Sequence, residues 1–251
     1  MTPTLSRFSM LSLLLGGSLL VTSVQADTVM TEPGLGEISC LVEPGRQATL
    51  STQVPGVLSS IEVAPGAYVS RGDTLFVLRR EAEQASVALE NARADYASRR
   101  VQRNQRMIER GMLSESERDE IDTELRLARM QVKLANARLN QMTTQAPFDG
   151  FIVQRHAEEG EYIDATPVLD IVQLDPLRIE AVLPLISYGA IEAGDSIGVA
   201  LHAPANRDVT ARVERVDRVI DASSATFAIG LTLDNPDGDI PAGINCRLHL
   251  P

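Results

Sequence analysis

Three histidines are the first residues to test for chemistry, because an imidazole can hold a metal ion or transfer a proton near neutral pH. His156, His202 and His249 lie far apart in the chain, and none of them belongs to a set of cysteines and histidines that could complete a zinc site. The chain also lacks the GxSxG, P-loop and GxGxxG motifs. We therefore expect the histidines to be surface or turn residues. We also expect the protein to be no enzyme and to bind no cofactor.

Two other groups keep a metal-binding alternative open. Glu158, Glu159 and Glu161 cluster around a glycine, which makes either an acidic turn or a cation site. Met107 and Met112 carry thioethers, which are soft ligands for Cu(I) or Ag(I) but also fill gaps at helix contacts. We expect a structural role for both groups, with a metal-binding protein as the alternative.

The composition excludes two classes of protein. The 251 residues carry a net charge of −11, whereas a nucleic-acid-binding protein needs a basic face for the phosphates. With 44% hydrophobic residues, the chain is typical of a globular protein and not of a disordered one. Its length permits one large core or two modest ones.

The N-terminus has the pattern of an export signal. Residues 1–26 combine a positive start, an apolar run over residues 10–21 and small residues before Asp27. This predicts a cleavable signal peptide over 1–26, a leader with a strand over 27–52, and a periplasmic location. The alternative is a retained membrane anchor, although the run is shorter than the roughly 20 residues of a membrane span.

Cys40 and Cys246 each lie in a stretch of alternating apolar residues, so both side chains are expected to point into a core. Because export brings the chain into an oxidising compartment, we predict a disulfide between them. The bond would tie the strand before the first half of the fold to the last strand of the chain. The alternative is two free buried thiols, which pack as small hydrophobic side chains.

The elements that position these residues are organised around an internal repeat. Residues 55–78 (PGVLSSIEVAPGAYVSRGDTLFVL) and 149–172 (DGFIVQRHAEEGEYIDATPVLDIV) align without a gap at an offset of 94 residues. Gly66 matches Gly160, where a tight reversal with positive φ is expected. The apolar positions match as well: Val57 with Phe151, Leu58 with Ile152, Tyr68 with Tyr162, Val69 with Ile163, Leu75 with Leu169 and Val77 with Ile171. We predict two copies of one small β-unit that pack on each other.

Two interlocked halves of this kind resemble the biotinyl/lipoyl carrier fold. A carrier places a modifiable lysine between the halves, but here Arg79, Arg80 and Glu81 follow the first half, and the only lysine is Lys133. A half-motif, a helical insertion and a second half-motif resemble the periplasmic adaptors (membrane fusion proteins of the HlyD-like superfamily) of tripartite RND-type efflux pumps. The resemblance covers the chain from about Cys40 onward.

The insertion predicts two long antiparallel helices over residues 80–143. In the first arm, Gly111 is expected to end the helix in the left-handed conformation. Small and apolar residues recur every three or four positions at Ala82, Ala85, Leu89, Ala92 and Tyr96, and the small alanines of this row are expected to let the two arms approach closely. In the second arm, Ser114 and Glu117 predict a capping box. A heptad seam follows at Ile121, Leu125, Ala128, Val132, Ala135, Leu139 and Met142.

The predicted turn between the arms carries a short motif. Arg103, Met107 and Ser114 have the spacing R-x3-L-x6-S, with methionine in place of leucine. This pattern resembles that of adaptors which meet TolC-type outer-membrane channels, so the resemblance implies that these residues dock the hairpin tip on a channel. The exchange of leucine for methionine conserves side-chain volume. The alternative is a solvated spacer.

The remaining residues, 174–251, alternate short apolar strands with turns and predict a small β-barrel. The segments LDPLRIEAVLP and NPDGDIPAGINCRL resemble barrel segments of the same family. Pro44 and Gly45 are expected to form a turn before the first half-motif. Many adaptors continue into a membrane-proximal domain, which is not expected here because the chain stops at Pro251.

The expected fold is therefore mixed β + α. A lipoyl-like barrel-sandwich hybrid is split over 53–79 and 144–173, a coiled-coil α-helical hairpin over 80–143 is inserted between its halves, and a β-barrel over 174–251 follows. The resemblance implies a non-enzymatic adaptor, peripheral to the inner membrane, between an inner-membrane transporter and a TolC-like channel. It also implies a homo-oligomer, hexameric if the family pattern holds. An RND transporter is favoured and an ABC exporter comes second. A lipoyl carrier is a rival of another class, which the missing lysine and the export signal oppose.

Overall fold

The chain folds into twelve strands and two long helices over residues 38–250, the part that this computed structural model describes. The elements are, in order, β1 (Ile38–Ser51), β2 (Gly56–Ile61), β3 (Tyr68–Val69), β4 (Thr74–Leu78), α1 (Glu81–Glu109), α2 (Glu115–Gln141), β5 (Thr143–Gln145), β6 (Gly150–Arg155), β7 (Tyr162–Ile163), β8 (Pro167–Pro184), β9 (Ser196–Leu201), β10 (Asp208–Val216), β11 (Thr226–Leu233) and β12 (Asn245–His249). The predicted signal peptide and residues 27–37 of the predicted leader lie outside the described residues.

The internal repeat is present as two interlocked halves. β2, β3 and β4 correspond to β6, β7 and the start of β8, and the halves exchange strands, since β2 pairs with β7 and β3 pairs with β6. The Gly66 N–H donates to the Ile152 carbonyl (2.7 Å), and the Gly160 N–H donates to the Leu58 carbonyl (2.8 Å), so one contact recurs at the offset of the repeat. Both glycines have positive φ, 85° and 89°, as predicted.

The two halves share one hydrophobic core. Burial of each large aliphatic side chain contributes about 1.5–3 kcal/mol, and here the buried side chains come from both halves. They include Leu58, Leu75, Phe76 and Leu78 from the first half and Ile152, Ile163, Leu169 and Ile171 from the second. A separated half would expose its apolar face, so the predicted barrel-sandwich hybrid forms only when both halves are present.

The predicted β-barrel is confirmed and closes through six strands. Its strands neighbour one another in the order β1, β12, β9, β10, β11, β8, and β8 pairs again with β1. Residues from every strand fill its core, among them Val42, Ile179, Val199, Val213, Ile229 and Cys246.

Strands β1 and β8 run through both the barrel and the barrel-sandwich hybrid. The first part of β1 lines the barrel, whereas residues 46–51 pair with residues 167–173 of β8 in the barrel-sandwich hybrid. The predicted turn at Pro44 and Gly45 is wrong, because the strand passes through these residues with only a register shift. A Cβ atom on Gly45 would lie 2.0 Å from the Pro176 carbonyl oxygen, so glycine permits the close crossing of the two strands.

Helices α1 and α2 pack against each other, and Arg100 of α1 forms an ion pair with Glu124 of α2. All seven predicted seam residues of α2 are buried or partly buried. The row predicted for α1 is wrong, because Leu89 and Tyr96 are 52% and 54% exposed, and Ala97 is buried instead. Helix α1 carries small or apolar residues on two adjacent rows. Which of the two rows is buried depends on how α1 fits against α2. Within residues 38–250, no helix is both long and apolar enough to cross a membrane.

Candidate docking site at the hairpin tip

Helix α1 ends in a tight reversal that forms the tip. Gly111 has φ 65°, its N–H donates to the Ile108 carbonyl (3.1 Å), and the Met112 N–H donates to the Met107 carbonyl (2.8 Å). This pair of bonds is a Schellman motif, which satisfies carbonyls that the helix end leaves open. The reversal leaves Met107 42% and Met112 64% exposed, so two thioether side chains face solvent at the tip.

Ser114 begins α2 and has a role within the chain. Its hydroxyl accepts from the Glu117 N–H (3.3 Å), and the Glu117 carboxylate accepts from both the Ser114 N–H (2.9 Å) and the Ser114 hydroxyl (2.7 Å). These bonds from Ser114 lower the pKa of Glu117. The predicted capping box is therefore present. It accounts for a serine at this position without any contact to a partner.

Arg103 and Met107 are both exposed and lie one turn apart on α1. The guanidinium carbon of Arg103 lies 5.9 Å from the centre of the Tyr96 ring, at the outer limit of a cation–π contact. The structure thus brings Arg103 and Met107 onto one face near the turn. Ser114 lies at the start of the other helix.

The two helices carry opposite charge near the tip, a feature that the motif alone does not reveal. Positive charge at a helix C-terminus and negative charge at an N-terminus favour the helix dipole, which gives this arrangement a structural reason. The last turns of α1 and its C-cap hold five arginines (Arg99, Arg100, Arg103, Arg106 and Arg110) and one acid, Glu109, whereas the first turns of α2 hold five acids (Glu115, Glu117, Asp119, Glu120 and Asp122) and one arginine, Arg118. A docking partner would therefore meet guanidinium donors on one helix and carboxylate acceptors on the other.

Below the tip, the helix pair bears an apolar stripe on its outer side, which we define as Leu89 and Tyr96 of α1 with Leu127 and Leu134 of α2. Each of these side chains is more than half exposed. A groove of about 430 Å³ lies between the helices along this stripe and is lined by Leu89, Tyr96 and Leu127, among others. The sequence pattern placed Leu89 and Tyr96 at the contact between the arms. The signal that could have revealed the stripe is the pair Leu127 and Leu134, which are seven residues apart and lie outside the seam of α2.

The acidic turn beside Gly160 is occupied by bonds within the chain. Glu159 accepts from the Ile61 N–H (3.0 Å), Glu161 accepts from the Glu158 N–H (3.0 Å), and Glu158 pairs with Arg155 (2.8 Å). Among the described residues, no group of three or more histidine, cysteine or acidic side chains could hold a metal ion. These contacts favour the structural interpretation of the turn.

His156 has a partner that the sequence did not indicate. Its Nε2 lies 2.7 Å from Oδ2 of Asp170, and the two side chains are 29% and 19% exposed. Burial opposes ionisation of Asp170, but the polar side chains of Thr49 and His156 beside it outweigh this effect, so the pKa of this carboxyl lies below its ordinary value.

Cys40 and Cys246 face each other on β1 and β12 and are joined by a disulfide, with their Cα atoms 4.8 Å apart. Both side chains lie in the barrel core. The bond links residues that are separated by 206 positions in the chain.

Residues 46–172 match the CzcB-like barrel-sandwich hybrid domain. The nodulation protein NolF of Rhizobium meliloti (strain 1021) is 28% identical over 216 residues, which cover 80% of this chain and 59% of NolF. The multidrug resistance protein MdtA of Yersinia pseudotuberculosis (serotype O:3, strain YPIII) is 24% identical over 216 residues, which cover 75% of this chain and 49% of MdtA. The chain thus spans about half the length of the curated relatives it matches.

A solved structure shares the fold. It is a MacA–MexA chimera that contains the Pseudomonas aeruginosa MexA α-hairpin domain, and it superposes with a TM-score of 0.72 at 18% identity. The match covers 84% of this chain and 78% of the chimera. At this identity, the likeness concerns the fold alone.

Proposed function

This chain belongs to the family with a CzcB-like barrel-sandwich hybrid domain, and from that membership we propose that it is a non-enzymatic periplasmic adaptor of an efflux pump. It links a transporter of the inner membrane to a TolC-like channel of the outer membrane and lies peripheral to the inner membrane. The transporter supplies the energy, and the adaptor supplies a continuous connection across the periplasm.

The observation that carries the proposal is the pair of helices inserted between the halves of the barrel-sandwich hybrid. α1 has 29 residues and α2 has 27, and at 1.5 Å per residue each extends roughly 40 Å. We assign residues 53–79 and 144–173 to the barrel-sandwich hybrid, 80–143 to a coiled-coil arm and 174–251 to the barrel, with β1 shared. An arm of this length suits a protein that reaches from one assembly to another.

The tip is the part of the arm that meets the channel. Arg103 offers up to five N–H donors to carbonyls or carboxylates of a partner. Met107 and Met112 add flexible apolar contacts beside it. Ser114 supports the same surface from within, because its capping box fixes the start of α2.

The apolar stripe on the outer side of the helix pair supports assembly into a homo-oligomer, a hexamer by family resemblance. Large exposed apolar patches on a protein surface mark sites of association. Leu89, Tyr96, Leu127 and Leu134 lie along the arm, where neighbouring copies in a ring would place their own arms side by side.

The transporter is of the RND type in our proposal, with an ABC exporter second, on the strength of family resemblance. A protonophore stops efflux through an RND transporter, whereas depletion of ATP with the proton gradient maintained stops efflux through an ABC exporter. The response of adaptor-dependent efflux to these two treatments separates the two partners.

Site-specific cross-linking tests the adaptor function. A photo-reactive amino acid replaces Met112 at the tip in one variant and Met130 in the middle of α2 in another; the two native side chains are 64% and 52% exposed. We expect the tip variant to cross-link to an outer-membrane channel in growing cells, and the mid-helix variant not to. Absence of a channel adduct from the tip, in cells whose efflux depends on this protein, would contradict the proposal.

A further inference from the structure

Two apolar loops project from the end of the barrel that lies away from the barrel-sandwich hybrid. The first follows β8 and holds Ile186, and the second joins β10 to β11 and holds Val219. The Leu185 N–H donates to the Ala225 carbonyl (2.8 Å), which ties the two loops together. Ile186 is 86% exposed and Val219 is 84% exposed. These are the two most exposed large hydrophobic side chains among the described residues.

The first loop carries no charge near its tip in a chain with a net charge of −11, since residues 185–190 include no charged residue. The second loop, residues 217–225, includes Asp217, Arg218 and Asp221. The Asp221 carboxylate accepts from the Ser223 N–H (2.8 Å) and the Ser223 hydroxyl (2.6 Å). At the base of the second loop, Arg215 forms ion pairs with Asp217 and Glu180. The tip of the first loop would therefore take no charge into an apolar medium, whereas the second loop would keep its charged side chains beside Val219 at the level of the lipid headgroups.

Half-exposed side chains surround the two tips. Leu185, Ile220 and Tyr188 are 41%, 38% and 44% exposed. Tyr188 packs edge-on against Phe227, with ring centres 5.1 Å apart. A tyrosine with its ring held against the barrel and part of its surface in water has the character of residues at a membrane–water interface.

The described chain also begins at this end of the barrel, where Ile38 pairs with Leu248. The apolar run over residues 10–21 precedes Ile38 by about 16 residues, which span at most about 55 Å when extended. If the run is retained as the anchor that the sequence leaves as the alternative, no more than this length of chain separates the lipid from Ile38.

We propose that the loops of Ile186 and Val219 insert their apolar side chains into the outer leaflet of the inner membrane. Separate aliphatic tips with few charges suit lipid, because a bilayer accepts apolar side chains without a matching pocket. The contact orients the barrel end toward the membrane and the arm away from it. This inference rests on the proposed location at the inner membrane but not on docking of the hairpin tip.

The chain contains no tryptophan, so single tryptophans report on the loops. The variants are Ile186→Trp, Val219→Trp and, as a control on the barrel-sandwich hybrid, Val153→Trp, whose native side chain is 54% exposed. Each is isolated as the exported protein and mixed with vesicles of phosphatidylethanolamine and phosphatidylglycerol. We expect the emission at positions 186 and 219 to move to shorter wavelength and to be quenched by brominated lipid, and the emission at 153 to do neither.

Equal emission shifts and equal quenching at positions 186, 219 and 153 would overturn the proposal. So would a response at 186 and 219 that appears only when the vesicles contain the transporter, since that result assigns the loops to a protein partner. A double variant with serine at both positions should release the barrel end from vesicles. Cross-linking at Met112 tests the adaptor function separately, so failure of one proposal is distinguishable from failure of the other.

Discussion

Arg103 is the residue at the tip that can bind a partner most directly. We expect Arg103→Asp to abolish efflux, because it replaces several donors with a carboxylate that repels acceptors on the channel. The side chain is exposed, so the fold should lose no more than about 0.5 kcal/mol of stability. Resistance of cells to the exported compounds measures the effect.

Arg129→Asp is the matched control, because Arg129 is also exposed but lies in the middle of α2. It should leave efflux intact if the tip alone meets the channel. Full resistance in the Arg103 variant, with normal export of the protein, would remove the docking claim.

Asp170 predicts a pH-dependent contribution to stability. Its folded-state pKa lies below the ordinary value of 3.8, so the contribution is present above that value and is lost as the pH falls through the folded pKa. We expect Asp170→Asn to lower the free energy of unfolding by about 1.5–3 kcal/mol at neutral pH, the range for a hydrogen bond to a charged group. The difference from the parent protein should shrink in strong acid.

Urea unfolding at neutral and acidic pH measures this difference. The control is Asp164→Asn in the same half of the repeat, where the side chain is exposed and little change is expected. A constant difference at all pH values would mean that the carboxylate charge of Asp170 contributes nothing.

At the scale of elements, the helix pair should behave as a lever that opens independently of the β-domains. Leu125 lies on the partly buried seam of α2, so Leu125→Asp places a charge against α1 at a cost of roughly 2 kcal/mol or more. Hydrogen exchange should rise over residues 95–130 but not over residues 55–78, because the two β-halves pack on each other. A uniform rise along the chain would show that the arm and the barrel-sandwich hybrid unfold together.

Leu127→Asp is the counterpart two residues further on, at a position that is 53% exposed. It should leave hydrogen exchange along the arm of the single chain unchanged, because the side chain lies at the exposed groove and not in the buried seam. It should weaken the oligomer, however, if the apolar stripe joins neighbouring copies. Native mass spectrometry separates the two effects.

At the scale of the whole molecule, the disulfide ties the first described strand to the last. The entropic model for a loop of 206 residues gives a stabilisation of about 5.4 kcal/mol before any native-state strain is subtracted. We expect Cys40→Ser or Cys246→Ser to lower the melting temperature of the barrel under non-reducing conditions, and dithiothreitol to lower that of the parent protein similarly. Two free thiols in the unfolded, unreduced protein isolated from the periplasm would refute the bond.

The sequence by itself determined the features whose signal is local or repeated. The offset of the repeat was visible because both halves must bury the same pattern of residues around the same glycine reversals. The ends of both helices at the tip were predictable because Gly111, Ser114 and Glu117 act within one turn of the backbone. The barrel followed from alternation along each short strand.

Only the tertiary structure decided which face meets which partner. It turned Leu89 and Tyr96 outward, because the fit of α2 against α1 chooses between two rows that the sequence leaves equivalent. It carried β1 straight through Gly45, because the contact that demands glycine comes from Pro176, far along the chain. It paired His156 with Asp170 across neighbouring strands, where no sequence spacing indicates a contact. In each case the deciding contact joins residues from separate segments of the chain. The hydrophobic pattern of one segment shows which of its residues are buried, but it does not show which other segment packs against them.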